Sequence, residues 1–543
     1  MTATALPELD RRALGLMPES RLRLSAQRRI RARSSAWAWN HRRSIAVIVP
    51  LALLTIIVRW RVLGHGPALA DDEGTYLAQA WSVQVNHALA PYTYWYDHPP
   101  LGWFQLAGWT WLTGVFGGHG MVIIAGRHLM TLYAAVDAAL IFVLARRLGM
   151  RRPYAAGAVF LWAMSPLALG QSVMVYLDNL AMPWLLGALV LAASRRQNLW
   201  SHVGAGALFA VALLTKETSI LALPALSLLV WQHTNRKTRP FCLTGFWATL
   251  VLCVAAYPLL ALLKGELFPG SGHVSLFDAL RFQFWSRTST GSALQAHSQS
   301  RALVDQWFTT DRWLLILGLL ATPIALAVAR LRPVGIAMAV LLVVSLRPGY
   351  LPQPFIILVL PFAALAIAGV FDALHTRAQR SDESYGALMP LLAGAAALML
   401  LPGWSAKDRA LGSFNQTAAT AAAEHWLVQQ RPQGRLLVDN TIWADLVSRG
   451  FEPKQVVWFY KLDYVNNLDP SVRERTSNYS AFQVVVSTPV LRSALANVSP
   501  TSLSLVRDAL AKSTPVAVFG SGNDRVEIRA ISSPGKPTFK KGT

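Results

Sequence analysis

The chain has 543 residues, of which 53% are hydrophobic and only 14% charged. Soluble domains carry about 25% charged residues, so this balance, with long uncharged runs recurring along the chain, excludes a disordered protein, a disulfide scaffold and an ordinary soluble enzyme. The formal charge of +22 would point to nucleic acid in a soluble chain, but here the arginines sit in short clusters between apolar runs, the pattern of membrane topology.

Residues 1–43 are polar and carry ten Arg against Glu8, Asp10 and Glu19. They lack the apolar stretch of a removed signal peptide and read as a basic cytoplasmic tail able to touch anionic lipid. The first span is expected over 44–63, with its basic flank inside. Further clusters follow at Arg146, Arg147, Arg151 and Arg152, at Arg195 and Arg196, at Arg236, Lys237 and Arg239, at Arg330 and Arg332, and at Arg377 and Arg380. With each cluster cytoplasmic, the apolar runs read as spans at 122–145, 154–172, 180–194, 203–215, 219–233, 241–263, 313–329, 334–346, 351–371 and 386–403. That makes about eleven spans, with the C-terminus outside. The runs at 203–215 and 334–346 are short for about 30 Å of hydrocarbon and suit half-helices or tight hairpins. Cys242 and Cys253 share one apolar run, show no metal-ligand spacing and read as small apolar fillers.

Three outside segments are large. The loop 64–121 contains Leu101–Phe116, rich in Trp and Gly. An interfacial helix pair suits it, because a full crossing would invert every later Arg cluster. The loop 264–312 is polar. The tail 404–543 alternates strand-like runs (436–439, 456–460, 481–488, 515–520) with helical ones (417–430, 501–512), which predicts a small α/β domain with a mostly parallel sheet. Its Gly520-Ser521-Gly522 lacks the full phosphate-cradle pattern and reads as a turn. The fold class is therefore mainly α, a polytopic helical bundle over 44–403 followed by an extracytoplasmic α/β domain over 404–543. No internal repeat is evident.

Residues able to carry chemistry gather on the outside face. Just after the first span comes Asp71-Asp72-Glu73-Gly74-Thr75-Tyr76. Three consecutive carboxylates at a membrane surface are costly as pure structure. If a helix starts here, Asp71 or Asp72 can cap it, and Tyr76 lies one turn beyond Asp72 on the same face. In the same loop, Tyr94-Trp95-Tyr96-Asp97-His98-Pro99-Pro100-Leu101 sets Asp97 and His98 on a corner stiffened by two prolines. Leu177-Asp178 lies at an outside span boundary, where a helix cap is the plain alternative. Nearby carboxylates with a histidine suit deprotonation of a hydroxyl or binding of a cation, Mg²⁺ or Mn²⁺ on oxygen ligands and Zn²⁺ where the histidine joins.

Asp72-Glu73-x-x-Tyr76, then Asp97-His98-Pro99-Pro100-Leu101, then Leu177-Asp178, in that order and on one side of the membrane, resembles the GT-C class of integral-membrane glycosyltransferases. The likeness is nearest to the protein O-mannosyltransferase and lipid A aminoarabinose transferase branch and covers roughly 44–370. It implies a polyprenyl-phosphate sugar donor and an acceptor glycan, lipid or protein at the outer face of the membrane, and the Arg-over-Lys, Ala-rich composition suggests a bacterial plasma membrane. It implies Asp72 as catalytic carboxylate, Glu73 as its companion and Asp178 as a second acid that orients groups or, with Asp72 and His98, holds a metal. Tyr76, Asp97 and His98 would contact substrate. Lys216, in Leu214-Thr215-Lys216-Glu217-Thr218, resembles a family lysine that meets the donor phosphate. Arg347 and Tyr350, in Arg347-Pro348-Gly349-Tyr350-Leu351-Pro352, resemble a basic-aromatic hairpin near it. His98 stands where the aminoarabinose branch tends to have Lys, and the long α/β tail does not match the mannosyltransferase lumenal domain, so neither branch passes on its acceptor. A transporter or flippase of lipid-linked glycan would place charges near mid-membrane and often shows repeated halves. A non-enzymatic glycan-binding scaffold leaves the acidic loop unexplained.

Overall fold

The computed structural model describes residues 42–531 apart from 92, 119, 382, 463–475, 477 and 499–501. The basic tail lies outside these residues except for Arg42 and Arg43. The chain divides into two compact units, 1–50 and 51–543; of the first, the described part is the opening of helix α1 (Arg42–Trp60).

The second unit takes in the rest of α1 and continues with two helices, α2 (Asp71–Asn86) and α3 (Leu101–Thr113), which pack on each other. Then follow α4 (Val122–Arg147), a pair bent by 66° formed by α5 (Arg152–Met164) and α6 (Pro166–Ser172), α7 (Leu177–Ala192), α8 (Leu199–Thr215), a 3₁₀ turn at Glu217–Ala222, α9 (Leu223–Gln232) and α10 (Arg239–Leu263). The bend falls at Ser165-Pro166, where the serine leaves helical geometry and its hydroxyl accepts from the amide of Ala168. After the short α11 (Leu276–Arg281) come α12 (Gln299–Ala327), α13 (Arg332–Leu346), α14 (Ile356–Ser381) and α15 (Glu383–Leu411). Among the described residues six helices are long and apolar enough to cross a membrane, or seven with the bent pair as one span, and four shorter apolar helices lie at Leu177–Ala192, Leu199–Thr215, Glu217–Gln232 and Arg332–Leu346. Each of the expected spans coincides with one of these elements. Leu101–Phe116 forms α3 and a 3₁₀ turn at Val115–Gly117.

The basic clusters meet at one end of the bundle. Arg330 reaches the Asp372 carboxylate at 2.6 Å and the carbonyl of Gly149 at 2.8 Å. The amide of Arg151 donates to the same aspartate at 3.0 Å, and Arg195 donates to the carbonyl of Arg146. That end holds the C-terminus of α4. Its N-terminus, about 39 Å away at 1.5 Å per residue, meets the tail: the Val122 amide donates to both carboxylate oxygens of Asp445, at 3.1 and 3.2 Å. A carboxylate there is favoured by the exposed amides and the helix dipole.

The tail is an α/β unit: α16 (Gln416–Gln430), β1 (Arg435–Val438), α17 (Trp443–Ser448), β2 (Val456–Trp458), β3 (Phe482–Ser487), α18 (Pro489–Asn497), α19 (Ser504–Ala511), β4 (Ser513–Phe519) and β5 (Val526–Ile531). The sheet order is β2-β1-β3-β5-β4. β2, β1 and β3 are parallel, with Leu436 opposite Val456, whereas β5 runs antiparallel to β3 and β4, with Val484 opposite Ala530. The sheet is thus evenly mixed rather than mostly parallel, because the fifth strand, unforeseen in the sequence, enters as a hairpin with β4. Leu437, Val457, Phe482, Val485, Leu491 and Val506 form its core.

This domain sits on α2. Trp443 meets Trp81 edge-on at 5.6 Å. Asn440 donates to the carbonyl of Asp71 and to the Thr75 hydroxyl, and the Tyr460 hydroxyl lies 3.3 Å from the latter. A Cβ at Gly74 would fall 2.3 Å from the Asn440 carbonyl oxygen, so only glycine admits this approach.

Candidate active site

Neither Asp71 nor Asp72 caps α2. The N-cap is Ala70, in extended geometry, and the first-turn carboxylate that returns to its amide is that of Glu73, at 3.2 Å. Glu73 is fully buried. Its oxygens also take a two-pronged ion pair from Arg127 of α4, at 2.8 and 2.7 Å, and the Val175 amide at 3.0 Å. Forked arginine pairs of this kind are strong and geometrically fixed. Glu73, expected beside Asp72 as its catalytic companion, thus ties α2 to α4 and to the entry of α7.

Asp72 faces the other way. Its charge is felt together with those of Asp71, Lys216, His98 and Asp97. Burial, and then the neighbouring Asp71, push its carboxyl up to about 7, against the pull of Lys216 and His98. Lys216, buried where α8 ends, holds its ammonium 3.3 Å from both ring nitrogens of His98 and 3.3 Å from the Glu217 carboxylate. His98 Nδ1 is 3.2 Å from Glu217. Burial and Lys216 act to lower the His98 pKa, but Glu217 and Asp97 outweigh them and hold it above its ordinary value. The turn that presents Lys216 is pinned by Thr218, whose hydroxyl donates to Asp178 at 3.0 Å. Tyr76 is buried with its ring 6.0 Å from that of His98. Asp97 accepts from the Tyr94 hydroxyl at 3.3 Å.

The late hairpin divides. Tyr350 lies within electrostatic reach of Asp72 and Lys216, but the guanidinium stacked on it, 3.6 Å from the ring, is Arg287. Arg347 is exposed and turns back to the carbonyl of its own Pro348. The tail adds groups that the sequence did not single out. Tyr460 is close enough to Asp71, Asp72 and Asp97 to feel their charge, and Lys461, lowered to about 8 by burial, is drawn upward by Asp97. Beside this cluster lies a cavity of about 620 Å³ whose wall includes Asp71 and Tyr176.

Among the described residues no three His, Cys, Asp or Glu side chains are grouped to hold an ion. His98 is engaged by Lys216 and Glu217, and Asp178 by Thr218.

Residues 97–260 match the family model for dolichyl-phosphate-mannose-protein mannosyltransferase, a segment that contains Asp97, His98, Asp178 and Lys216. Among curated proteins none matches. Among solved structures the chain is similar to ArnT from Cupriavidus metallidurans bound to undecaprenyl phosphate, at TM-score 0.57 and 15% identity over 91% of this chain and 100% of that one. It is also similar to the oligosaccharyltransferase of Archaeoglobus fulgidus tethered with an acceptor peptide, at TM-score 0.52 and 14% identity over 92% of this chain and 75% of that one. The fold is that of the GT-C class of integral-membrane glycosyltransferases. The resemblance read from the three acidic motifs is thus shown as a likeness of fold, and residues 97–260 carry a mannosyltransferase-type match.

Proposed function

We propose that this protein is a glycosyltransferase that moves a sugar from a polyprenyl-phosphate donor to a hydroxyl of an envelope glycan, lipid or protein at the outer face of the membrane. The observation that carries the reading is the setting of Asp72. A carboxyl near 7 stands within electrostatic reach of a buried lysine and a histidine, while its neighbour Asp71 opens onto a cavity. A base tuned near the working pH beside fixed cations is what displacement of a phosphate by a hydroxyl requires.

In this reading the acceptor oxygen attacks the anomeric carbon as the bond from that carbon to the phosphate oxygen breaks. The hydroxyl proton passes to Asp72, and the electron pair leaves on the polyprenyl phosphate. Direct displacement inverts the configuration. Lys216, with His98 beside it, stabilises the charge developing on the phosphate, the role that its resemblance to a phosphate-binding lysine implies. Asp178 acts through Thr218, fixing the turn that presents Lys216. Arg287 on Tyr350 provides a second cation at the donor end, in the place foreseen for Arg347. The gathering of Asp71, Asp72, Asp97, His98 and Lys216 in one cluster favours transfer over transport.

The test is transfer from a panel of polyprenyl-phosphate sugars by the purified full chain. Consumption of at least one donor, with an inverted glycoside as product, is expected. A chain that binds and translocates these lipids while leaving the sugar–phosphate bond intact is a flippase, and the reading fails.

A further inference from the structure

The loop after β1 grips the first turn of α2. Asn440, fully buried, donates its side-chain amide to the carbonyl of Asp71 and to the Thr75 hydroxyl, the second at 2.6 Å. A carbonyl only accepts, so the NH₂ end of the amide must be the one that faces it. That carbonyl belongs to the peptide unit joining Asp71 to Asp72. The N–H of the same unit donates to the Asp71 carboxylate at 3.0 Å. Both polar ends of the peptide that carries Asp72 are thus held by side chains. One residue further, Glu73 is fixed to the bundle by Arg127 and the Val175 amide.

The grip is itself stiff. Asp439, buried just past β1, accepts from the Thr441 amide at 2.8 Å, from the Thr441 hydroxyl and from the hydroxyl of Thr488, the N-cap of α18. The carboxylate therefore braces the residues on both sides of Asn440 and ties them to the end of the neighbouring strand β3. The Tyr460 hydroxyl, from beyond β2, lies 3.3 Å from both the Asn440 amide and the Thr75 hydroxyl. Gly74 lets this loop come down onto the helix backbone: a Cβ there would also fall 2.6 Å from the amide nitrogen of Thr441.

Resting on the glycosyl-transfer reading, we propose that Asn440 is a positioning residue for Asp72, and that the α/β domain acts on the chemistry by fixing the peptide that aims the base. The first turn of a helix is where its own hydrogen bonds hold the backbone least, because the leading N–H groups have no partner within the helix and the end frays. A base placed there needs support from outside, and a misplacement of about 1 Å can cost about 10²-fold in rate.

The experiment compares purified full-length wild type, Asn440→Ala, Asn440→Leu, Asp72→Asn and the double variant Asp72→Asn with Asn440→Ala in transfer from polyprenyl-phosphate sugars. Hydrogen–deuterium exchange over residues 71–76 is read on the same samples. Asn440→Ala should lower kcat by about 10–100-fold and leave the half-saturating donor concentration within about twofold. Asn440→Leu fills nearly the same space without a donor, so an equal loss assigns the effect to the hydrogen bonds rather than to packing. In the Asp72→Asn background the alanine change should cost less than about twofold, because no base is left to aim. A residue that only holds the fold together would lower that residual rate as well. Exchange over 71–76 should rise by about 3–10-fold in Asn440→Ala, the usual loss for one hydrogen bond, with α4 and α7 as in wild type. The proposal is overturned if both Asn440 variants turn over like wild type, if the loss lies in half-saturation, or if it persists undiminished beside Asp72→Asn. A wild type that consumes no donor overturns the glycosyl-transfer reading instead, and the exchange over 71–76 then decides whether Asn440 holds this turn, with unchanged exchange overturning that too.

Discussion

The two sides of the α2 N-terminus differ in the kind of polarity they present. On one, Lys216, His98 and Arg287 gather positive charge around Asp97, Glu217 and Tyr350. On the other, the cavity wall mixes aliphatic, aromatic and amide residues, with Asp71 its single charged residue among those described. The contrast teaches how one short acidic run is divided. Asp71 meets the neutral side, Asp72 feels the cations, and Glu73 is taken out of both by Arg127. Three carboxylates that look alike in sequence have three fates, decided by which helix each one faces.

The largest effect should come from replacing Asp72. Asp72→Asn keeps size and hydrogen bonding but removes charge and basicity, so turnover should fall by about 10²–10⁴-fold with donor binding kept. Asp71→Asn should be much milder; equal, near-wild-type rates in the two variants would erase the division just drawn. Next comes Lys216→Met, which removes the buried cation at the donor end. A loss in turnover of about 10²–10³-fold is expected, larger than any change in acceptor half-saturation. If acceptor binding suffered instead, Lys216 would act on the acceptor.

Glu73→Gln sharpens the comparison on a different axis. It leaves Arg127 buried with a neutral partner, so thermal unfolding of the purified protein should show a loss of about 3–5 kcal/mol, while the fraction that remains folded keeps its turnover. A stable, inactive variant would return Glu73 to the chemistry. Smallest is the pair Arg287→Ala and Arg347→Ala. The first should raise donor half-saturation several-fold, and the second, whose guanidinium touches only its own loop among the described contacts, should change nothing measurable. Donor titrations with both variants decide it, and a reversed order would restore the hairpin arginine to the phosphate.

Much of this was legible in the chain. The apolar runs and their Arg clusters located the helices, because hydrophobic thickness and loop charge are local properties. Asp72, Asp97, His98, Asp178 and Lys216 were singled out from three short motifs and a turn. What escaped depends on distant pairing. Arg127 lies 54 residues from Glu73, and its signal, a lone arginine within an apolar span, went unused although such a charge nearly always has a partner. Arg287 sits in a polar loop with nothing local to mark it. Asn440, Tyr460 and Lys461 reach α2 from the far end of the chain. The strand Val526–Ile531 was missed although Val526, Ile528 and Ile531 are buried with charged residues between them, an alternation that should have revealed it.

The measurement that tests the account most directly is the pH dependence of kcat/KM for transfer. Burial and Asp71 raise the Asp72 carboxyl to about 7, and only its deprotonated form can take the acceptor proton. The rate should therefore rise with pH through a midpoint of about 7, and that rise should vanish from the residual activity of Asp72→Asn. A flat profile across about pH 5–9, or the same midpoint retained in the variant, would contradict Asp72 as the base.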